Sequence, residues 1–344
     1  MSRPSRRPVI PDLYADPFRE HDVPWQRFDC DLLGTRFRFE SNSPQLLQLA
    51  RQAYQGLPPQ RFRSGAVQPL TVRLLQRPAA GLSSRRRGEP PALDMFSLPG
   101  WLGAGSVASD AVLLSPALRL AIVAVSPQTL SFSYHTRYEL IEFAAYTLGS
   151  RCQRLASLHA GCVGLEGQGA LLMGDSGAGK STLTMLCLQH GLEFLSEDSV
   201  FVAPGSLRAT GVANFVHLRA DSLRWLPPAV RATLRRSPVI RRRSGVRKFE
   251  LDLRSAGQRL AQSPLKLRFT IFLSARSARR EPLLRALRPR EALTRLASTQ
   301  AYAARQPEWP RFSRSLAALP AFELRRGAHP EQAVDALCSL LRGS

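Results

Sequence analysis

Apolar and polar residues alternate through Thr35-Arg36-Phe37-Arg38-Phe39, a period of two that predicts a strand with one buried face. The spacing then lengthens. Leu46, Leu47, Ala50, Ala53 and Tyr54 fall on one side of a helix that Ser43 caps, Pro44 opens and Gly56 ends. Leu70-Thr71-Val72-Arg73-Leu74-Leu75 predicts another strand, so strand, helix and strand describe a small α+β module. Residues 111–114 and 118–125 predict two apolar strands. Residues 137–148 return to helical spacing, with Leu140, Ile141, Ala144, Ala145 and Leu148 on one side.

Farther along, Ala170-Leu171-Leu172-Met173 is a short apolar run, and Thr182-Leu183-Thr184-Met185-Leu186-Cys187-Leu188 reads as a buried helix that Gly191 ends. Leu192-Glu193-Phe194-Leu195 predicts a strand, and strand-like pieces surround Phe215-Val216-His217-Leu218. Phe249-Glu250-Leu251-Asp252-Leu253, residues 265–273 and Ala321-Phe322-Glu323-Leu324 predict further strands. Residues 291–299 and 330–341 predict helices. Strands and helices interleave without a steady βαβ period, which predicts an α/β fold with a mixed α+β sheet rather than a doubly wound parallel one.

Two stretches break the pattern. Residues 1–27 are rich in Pro and Arg and read as an arm, and residues 78–91, with Arg85-Arg86-Arg87, read as a solvated loop. The chain of 344 residues therefore divides into an arm (1–27), an N-terminal α+β module (28–150) and a second domain (151–344). No run of about 20 uncharged apolar residues predicts a membrane span. Residues 1–8 are basic but lack an apolar core, so no secretion signal is expected. The five cysteines are scattered without metal-ligand spacing, which fits a reduced, cytoplasmic setting.

The formal charge of +22 invites a nucleic-acid reading, but its composition argues otherwise. Of 48 basic residues all but Lys180, Lys248 and Lys266 are arginine, in a chain also rich in Ala, Leu and Pro. That is the codon bias of a GC-rich genome, spread along the chain with no recognisable nucleic-acid-binding module, so no specific nucleic-acid partner is expected. The charge does favour acidic partners by steering.

The chemistry concentrates in one stretch. Gly174-Asp175-Ser176-Gly177-Ala178-Gly179-Lys180-Ser181 fits the phosphate-loop pattern without a mismatch and stands between a predicted strand and a predicted helix, the context the motif requires. Glycines let backbone N–H groups wrap a phosphate, and the positive end of the following helix adds to the attraction. Lys180 supplies charge to the β- and γ-phosphates, and the Ser181 hydroxyl suits Mg²⁺. Ser196-Glu197-Asp198 then follows the next strand, and two adjacent carboxylates there suit a metal ligand and a base. Upstream, His159 precedes a segment that turns through residues 164–169 into the loop. Residues 235–248 hold seven basic residues around Ser244-Gly245 and read either as a disordered surface loop or as an active-site flap, with Lys248 or Arg247 facing a phosphoryl group.

In order and spacing, His159-Ala160-Gly161, then the loop through Thr182, then Gly191-Leu192-Glu193-Phe194-Leu195-Ser196-Glu197-Asp198 resemble the catalytic domain of HPr kinase/phosphorylase. That bacterial serine kinase shares its fold with phosphoenolpyruvate carboxykinase. The residues resemble still more the branch of HPr-kinase-related proteins. The likeness spans about residues 155–203.

The resemblance implies a P-loop kinase, using ATP and Mg²⁺ in the cytoplasm, that transfers the γ-phosphoryl group to a hydroxyl, a serine on a small protein or peptide. It implies nucleotide binding by Gly174, Asp175, Ser176, Gly177, Ala178, Gly179, Lys180, Ser181 and Thr182. It also implies His159 near the transferred phosphate, Lys180 on the β/γ-phosphates, Ser181 and Glu197 toward the metal, and Asp198 as general base. Glu-Asp stands where HPr kinases have Asp-Asp and many relatives Asp-Glu, so which carboxylate holds the ion stays open.

Ala160 replaces a glycine of HPr kinases, and the second signature of that family, linked to its phosphorylase reaction, has no counterpart; both argue against a bifunctional enzyme. Other acceptors fit the same chemistry, such as free serine, as does a nucleotide-sensing regulator that transfers to nothing. An ATPase acting on nucleic acid is a third reading. Family members often form hexamers, and no residue pattern here sets the assembly.

Overall fold

The computed structural model describes residues 24–62, 68–77, 89–106, 110–255, 257–278 and 281–343. All but the last four residues of the predicted arm, and Arg85-Arg86-Arg87 of the predicted loop, lie outside the described residues. The first sheet has seven strands: β1 (Gln26–Leu32), β2 (Thr35–Ser41), β3 (Leu70–Gln76), β4 (Asp94–Leu98), β5 (Trp101–Gly105), β6 (Ala111–Ser115) and β7 (Leu120–Val125). Their order is β1-β2-β3-β7-β6-β5-β4. The β1–β2 hairpin turns on Leu33 and Gly34, both at positive φ, the conformation that two-residue hairpin loops demand. β3 runs parallel to β2 and to β7, and the other neighbours are antiparallel.

The first helix, α1 (Pro44–Tyr54), starts where predicted: Ser43 accepts from the Leu46 N–H, and Pro44 needs no partner. Phe39 stacks with Phe28, Phe37 and, from the end of α1, Tyr54. The predicted helix over 137–148 is longer and less regular. Short turns α2 (Pro127–Leu130) and α3 (Ser133–His135) lead into a π-helical turn, Thr136–Ile141, and then α4 (Glu142–Gln153). The boundary expected near residue 150 falls inside α4, and this first core runs on to Leu155, with Phe201 and Val212 joining it from the rest of the chain.

The second sheet has nine strands: β8 (Ala156–Leu158), β9 (Gly161–Leu165), β10 (Gln168–Met173), β11 (Glu193–Ser196), β12 (Val200–Ala203), β13 (Arg208–Gly211), β17 (Leu265–Ser277), β18 (Leu284–Ala286) and β19 (Ala321–Arg326). The path β11-β9-β10-β17-β13-β12-β8 is joined by β19, which pairs with the later part of β17, and β18 pairs with β19. β10 is parallel to β17, and β17 to β19, while β9 is antiparallel to both of its neighbours. The sheet is mixed, as the irregular spacing predicted.

Between these strands lie α5 (Lys180–Gln189) and α6 (Pro228–Arg236), followed later by α7 (Pro289–Thr299), α8 (Trp309–Ala317) and α9 (Glu331–Arg342). Alternate residues of β10 serve different cores. Ala170 and Leu172 pack with α5 and α9, Leu171 and Met173 with α7 and α8. A strand covered on both faces reads as a continuous apolar run, which is why residues 170–173 show no alternation.

The Arg-rich segment over 235–248 is an ordered element, which corrects the reading of it as a disordered loop. Its end belongs to a small sheet of β14 (Phe215–Leu218), β15 (Val239–Arg241) and β16 (Arg247–Asp252), in the order β14-β16-β15. Ser244-Gly245 lies in the hairpin turn, with Gly245 at φ +80° donating to the Arg242 carbonyl. The first module is fastened to the rest of the chain by polar bonds, those of Gln60 buried and those of Arg254 nearer the surface. The Gln60 amide donates to Ala261 O and accepts from Thr210 and the Gly211 N–H. Arg254, held by Asp252, donates to the Gln52, Ala53 and Gln55 carbonyls at the end of α1, where Arg cations complement the helix C-terminus. Among the described residues, no helix is long and apolar enough to cross a membrane.

Candidate functional site

The strand β10 ends at Met173 and α5 begins at Lys180, so the glycine-rich loop turns at the C-terminal end of a central strand. Gly177 and Gly179 take φ of +82° and +101°, where a side chain would be strained. Gly179 is the residue that caps α5, so the helix opens directly from the loop with its positive end on the cleft. Lys180 is buried, and its Nζ donates to the Gly174 carbonyl at 2.6 Å and the Asp175 carbonyl at 3.3 Å. Burial lowers its pKa, while Asp198 and Asp175 pull the other way.

Successive residues of α5 point in different directions, about 100° apart. Ser181 donates to Glu197 Oε1, and Thr182 Oγ1 meets Ser222 Oγ at 2.8 Å. Glu197 is buried, and its second oxygen accepts from the His217 N–H at 2.6 Å. From there a chain of buried groups leads inward. The imidazole of His217 lies with Nδ1 3.1 Å from Tyr138 Oη and 3.4 Å from Glu197 Oε2, and with Nε2 3.0 Å from Glu250 Oε2. Arg137, on the π-helical turn, donates to the same oxygen of Glu250. Burial favours neutral imidazole, but the carboxylates of Glu197 and Glu250 outweigh it and raise the pKa of His217.

The second carboxylate faces the cleft. Asp198 Oδ1 is 2.8 Å from His159 Nδ1, and Oδ2 is 3.7 Å from Arg242. Burial pushes the carboxyl pKa up, yet the hydrogen bond and charge of His159, with Arg242 and Lys248, hold it well below the usual carboxylate range. His159 is seated by a residue from the far end of α7: the Gln300 amide accepts from the His159 N–H at 2.8 Å and donates to its carbonyl at 3.1 Å. His159 itself is 59% exposed at the side chain, so it stands at the mouth of the cleft.

His159, Lys180, Ser181, Glu197, Asp198 and Arg242 line one cleft of about 640 Å³. Of the expected residues it brings together His159, Asp175 through Thr182, Glu197 and Asp198, with Gly174 behind them as an acceptor for Lys180. Lys248 lines the cleft as expected. Arg247 does not: it is an exposed residue of β16, and the arginine that reaches Asp198 is Arg242, across the hairpin turn. In the hairpin, Arg247 pairs in register with Arg241, so the turn carries Arg242 and not Arg247 toward the carboxylate.

Arg137, Tyr138, His217, Arg242, Glu250 and Gln300 escaped sequence reasoning. A histidine inside the apolar run Val216-His217-Leu218 was the one local signal for a buried polar contact. Ser181 and Glu197 together offer a hydroxyl and a carboxylate, the hard oxygen donors that suit Mg²⁺. Among the described residues no group of three or more His, Cys, Asp or Glu is arranged to hold a metal alone.

No family model matches the chain, and no curated protein matches it. Among solved structures it is similar to the Hpr(Ser) kinase/phosphatase from Coxiella burnetii, with 10% identity over 53% of this chain and 94% of that chain. The TM-score is 0.28, a distant structural relationship.

Proposed function

We propose that the chain is a phosphotransferase that binds ATP with Mg²⁺ and passes the γ-phosphoryl group to a hydroxyl, a serine on a small protein or peptide. One observation carries this reading: a phosphate loop, a hydroxyl–carboxylate pair and a histidine–aspartate pair converge on the first turn of α5 in one cleft. In this reading phosphate oxygens replace the Gly174 and Asp175 carbonyls as acceptors for Lys180. Ser181 and Glu197 hold the Mg²⁺, which spreads charge over the phosphates when bound. Asp198 remains ionised at neutral pH, the state needed to accept the proton of an incoming hydroxyl. His159 orients that carboxylate, and Arg242 and Lys248 face the developing negative charge. The basic hairpin tip also favours an acceptor with acidic residues beside its hydroxyl.

The test follows transfer from γ-labelled ATP with Mg²⁺ into proteins of the source cell's lysate, using wild type, Lys180→Ala and Asp198→Asn. Asp198→Asn should lower transfer by roughly 100-fold or more, the usual worth of a positioned base, and leave ATP binding near wild type. Lys180→Ala should lose both. Full turnover in Asp198→Asn would overturn the assigned base, and ATP turnover that needs no hydroxyl acceptor would favour a regulator or ATPase.

A further inference from the structure

The cleft extends well beyond the phosphate loop, and the sheet order says in which direction. β11, β10, β17 and β19 all run the same way and end at the cleft, with β9 entering between the first two. Glu197 and Asp198 follow β11, two positions to one side of the loop strand β10. Arg325 and Arg326 end β19, and Gly327 and Ala328 follow it, two positions to the other. At the usual strand spacing each flank lies about 10 Å from the loop. A triphosphate with its γ end at Asp198 must therefore send its nucleoside toward β19.

At that end the chain supplies an aromatic surface. The 3₁₀ turn Ala220–Trp225 is tied to the start of α5 through the Ser222–Thr182 contact, and Trp225 lines the cleft while the rest of its indole packs on the core beneath. The exposed Arg224 guanidinium lies over the indole ring, 4.7 Å from its centre, and swings aside when a base stacks on that face; His329 meets the ring edge to face at 5.0 Å. Ala328 and Pro330, from the turn into α9, and Ala333, in its first turn, form the small apolar part of the same wall.

We infer that this end of the cleft seats the nucleobase, with Trp225 as its stacking surface. The inference rests on the ATP reading above and deepens it. Stacking on an indole needs only the π-face of a base, and removing such an aromatic ordinarily costs roughly tenfold or more in affinity.

The experiment compares binding of ATP and of inorganic tripolyphosphate, each with Mg²⁺, to wild type, Trp225→Ala and Trp225→Phe by titration calorimetry. Trp225→Ala should weaken ATP roughly tenfold or more, Trp225→Phe should restore most of that loss, and tripolyphosphate should bind all three alike. Equal ATP affinity in wild type and Trp225→Ala overturns the inference, as does an equal loss of ATP and tripolyphosphate, which marks a role in shaping the cleft. Wild type that binds neither ligand overturns the nucleotide reading itself. Wild type that binds both, with no effect of Trp225, overturns only the base site.

Discussion

Glu142 opens α4, buried at 4% exposure behind the site, and its Oε1 has no hydrogen-bond partner among the described residues. Arg137 Nε stands 3.9 Å away, near but committed through its other nitrogen to Glu250. Burial raises the Glu142 pKa from 4.5 to about 7, against the pull of Arg137, His217 and a hydrogen bond with Tyr146. Between those two values the folded chain keeps a proton that the unfolded chain has released. Stability is therefore highest below the unfolded value, falls as pH rises toward the folded one, and stays lowered above it.

At about 1.4 kcal/mol per pKa unit the whole effect is about 3 kcal/mol, of which about 2 kcal/mol develops between about pH 5.5 and 8.5. Glu142→Gln keeps the shape and removes the titration. Denaturant unfolding of wild type and Glu142→Gln across that range should show the variant gaining about 2 kcal/mol on wild type as pH rises. His217, whose raised pKa also loses stability with rising pH, is present in both chains and largely cancels in the difference. Two parallel stability curves would refute the reasoning, because they would mean that Glu142 does not titrate in this window.

Two further substitutions probe the groups behind the site. Glu250→Ala leaves Arg137 and His217, both nearly inaccessible, without the carboxylate they share; it should cost about 3–5 kcal/mol, read as a lowered midpoint in thermal unfolding, and a loss under about 1 kcal/mol would show the network to be neutral. Gln300→Ala removes the amide that bonds both the N–H and the carbonyl of His159. Transfer should fall while ATP affinity holds, a split between kcat and KM that a general loss of folding would not produce.

Much of the candidate site's local geometry was legible because its parts are local. The glycine-rich loop needs only a strand end, three glycines and a helix start, all within residues 168–189, and neighbouring residues alone dictate those conformations. The acidic pair is legible for the same reason, being one helix and one short strand farther on. The helix α1 was legible from its cap, its opening proline and its apolar face.

The remainder was hidden by pattern or by distance. Phe249-Glu250-Leu251-Asp252-Leu253 alternates as a half-buried strand, which assigns Glu250 to the wet face, yet Glu250 and Leu251 are both buried because His217 and Arg137 cover that face. Arg137 is buried on a π-helical turn that a regular helical period does not anticipate. The hairpin that presents Arg242 carries a legible Ser-Gly turn, but only the register of β15 on β16 decides which arginine faces Asp198.

By itself the sequence determined the glycine-rich loop, its strand and helix, and the place of the carboxylates that follow, since each depends on contacts between near neighbours. Only the tertiary structure decided which distant groups answer them: Gln300 for His159, His217 for Glu197, Glu250 for His217 and Arg137 for Glu250. Those pairings join residues from 20 to 141 positions apart. Sheet order and register bring them together, and register is a property of packed strands that no single segment carries.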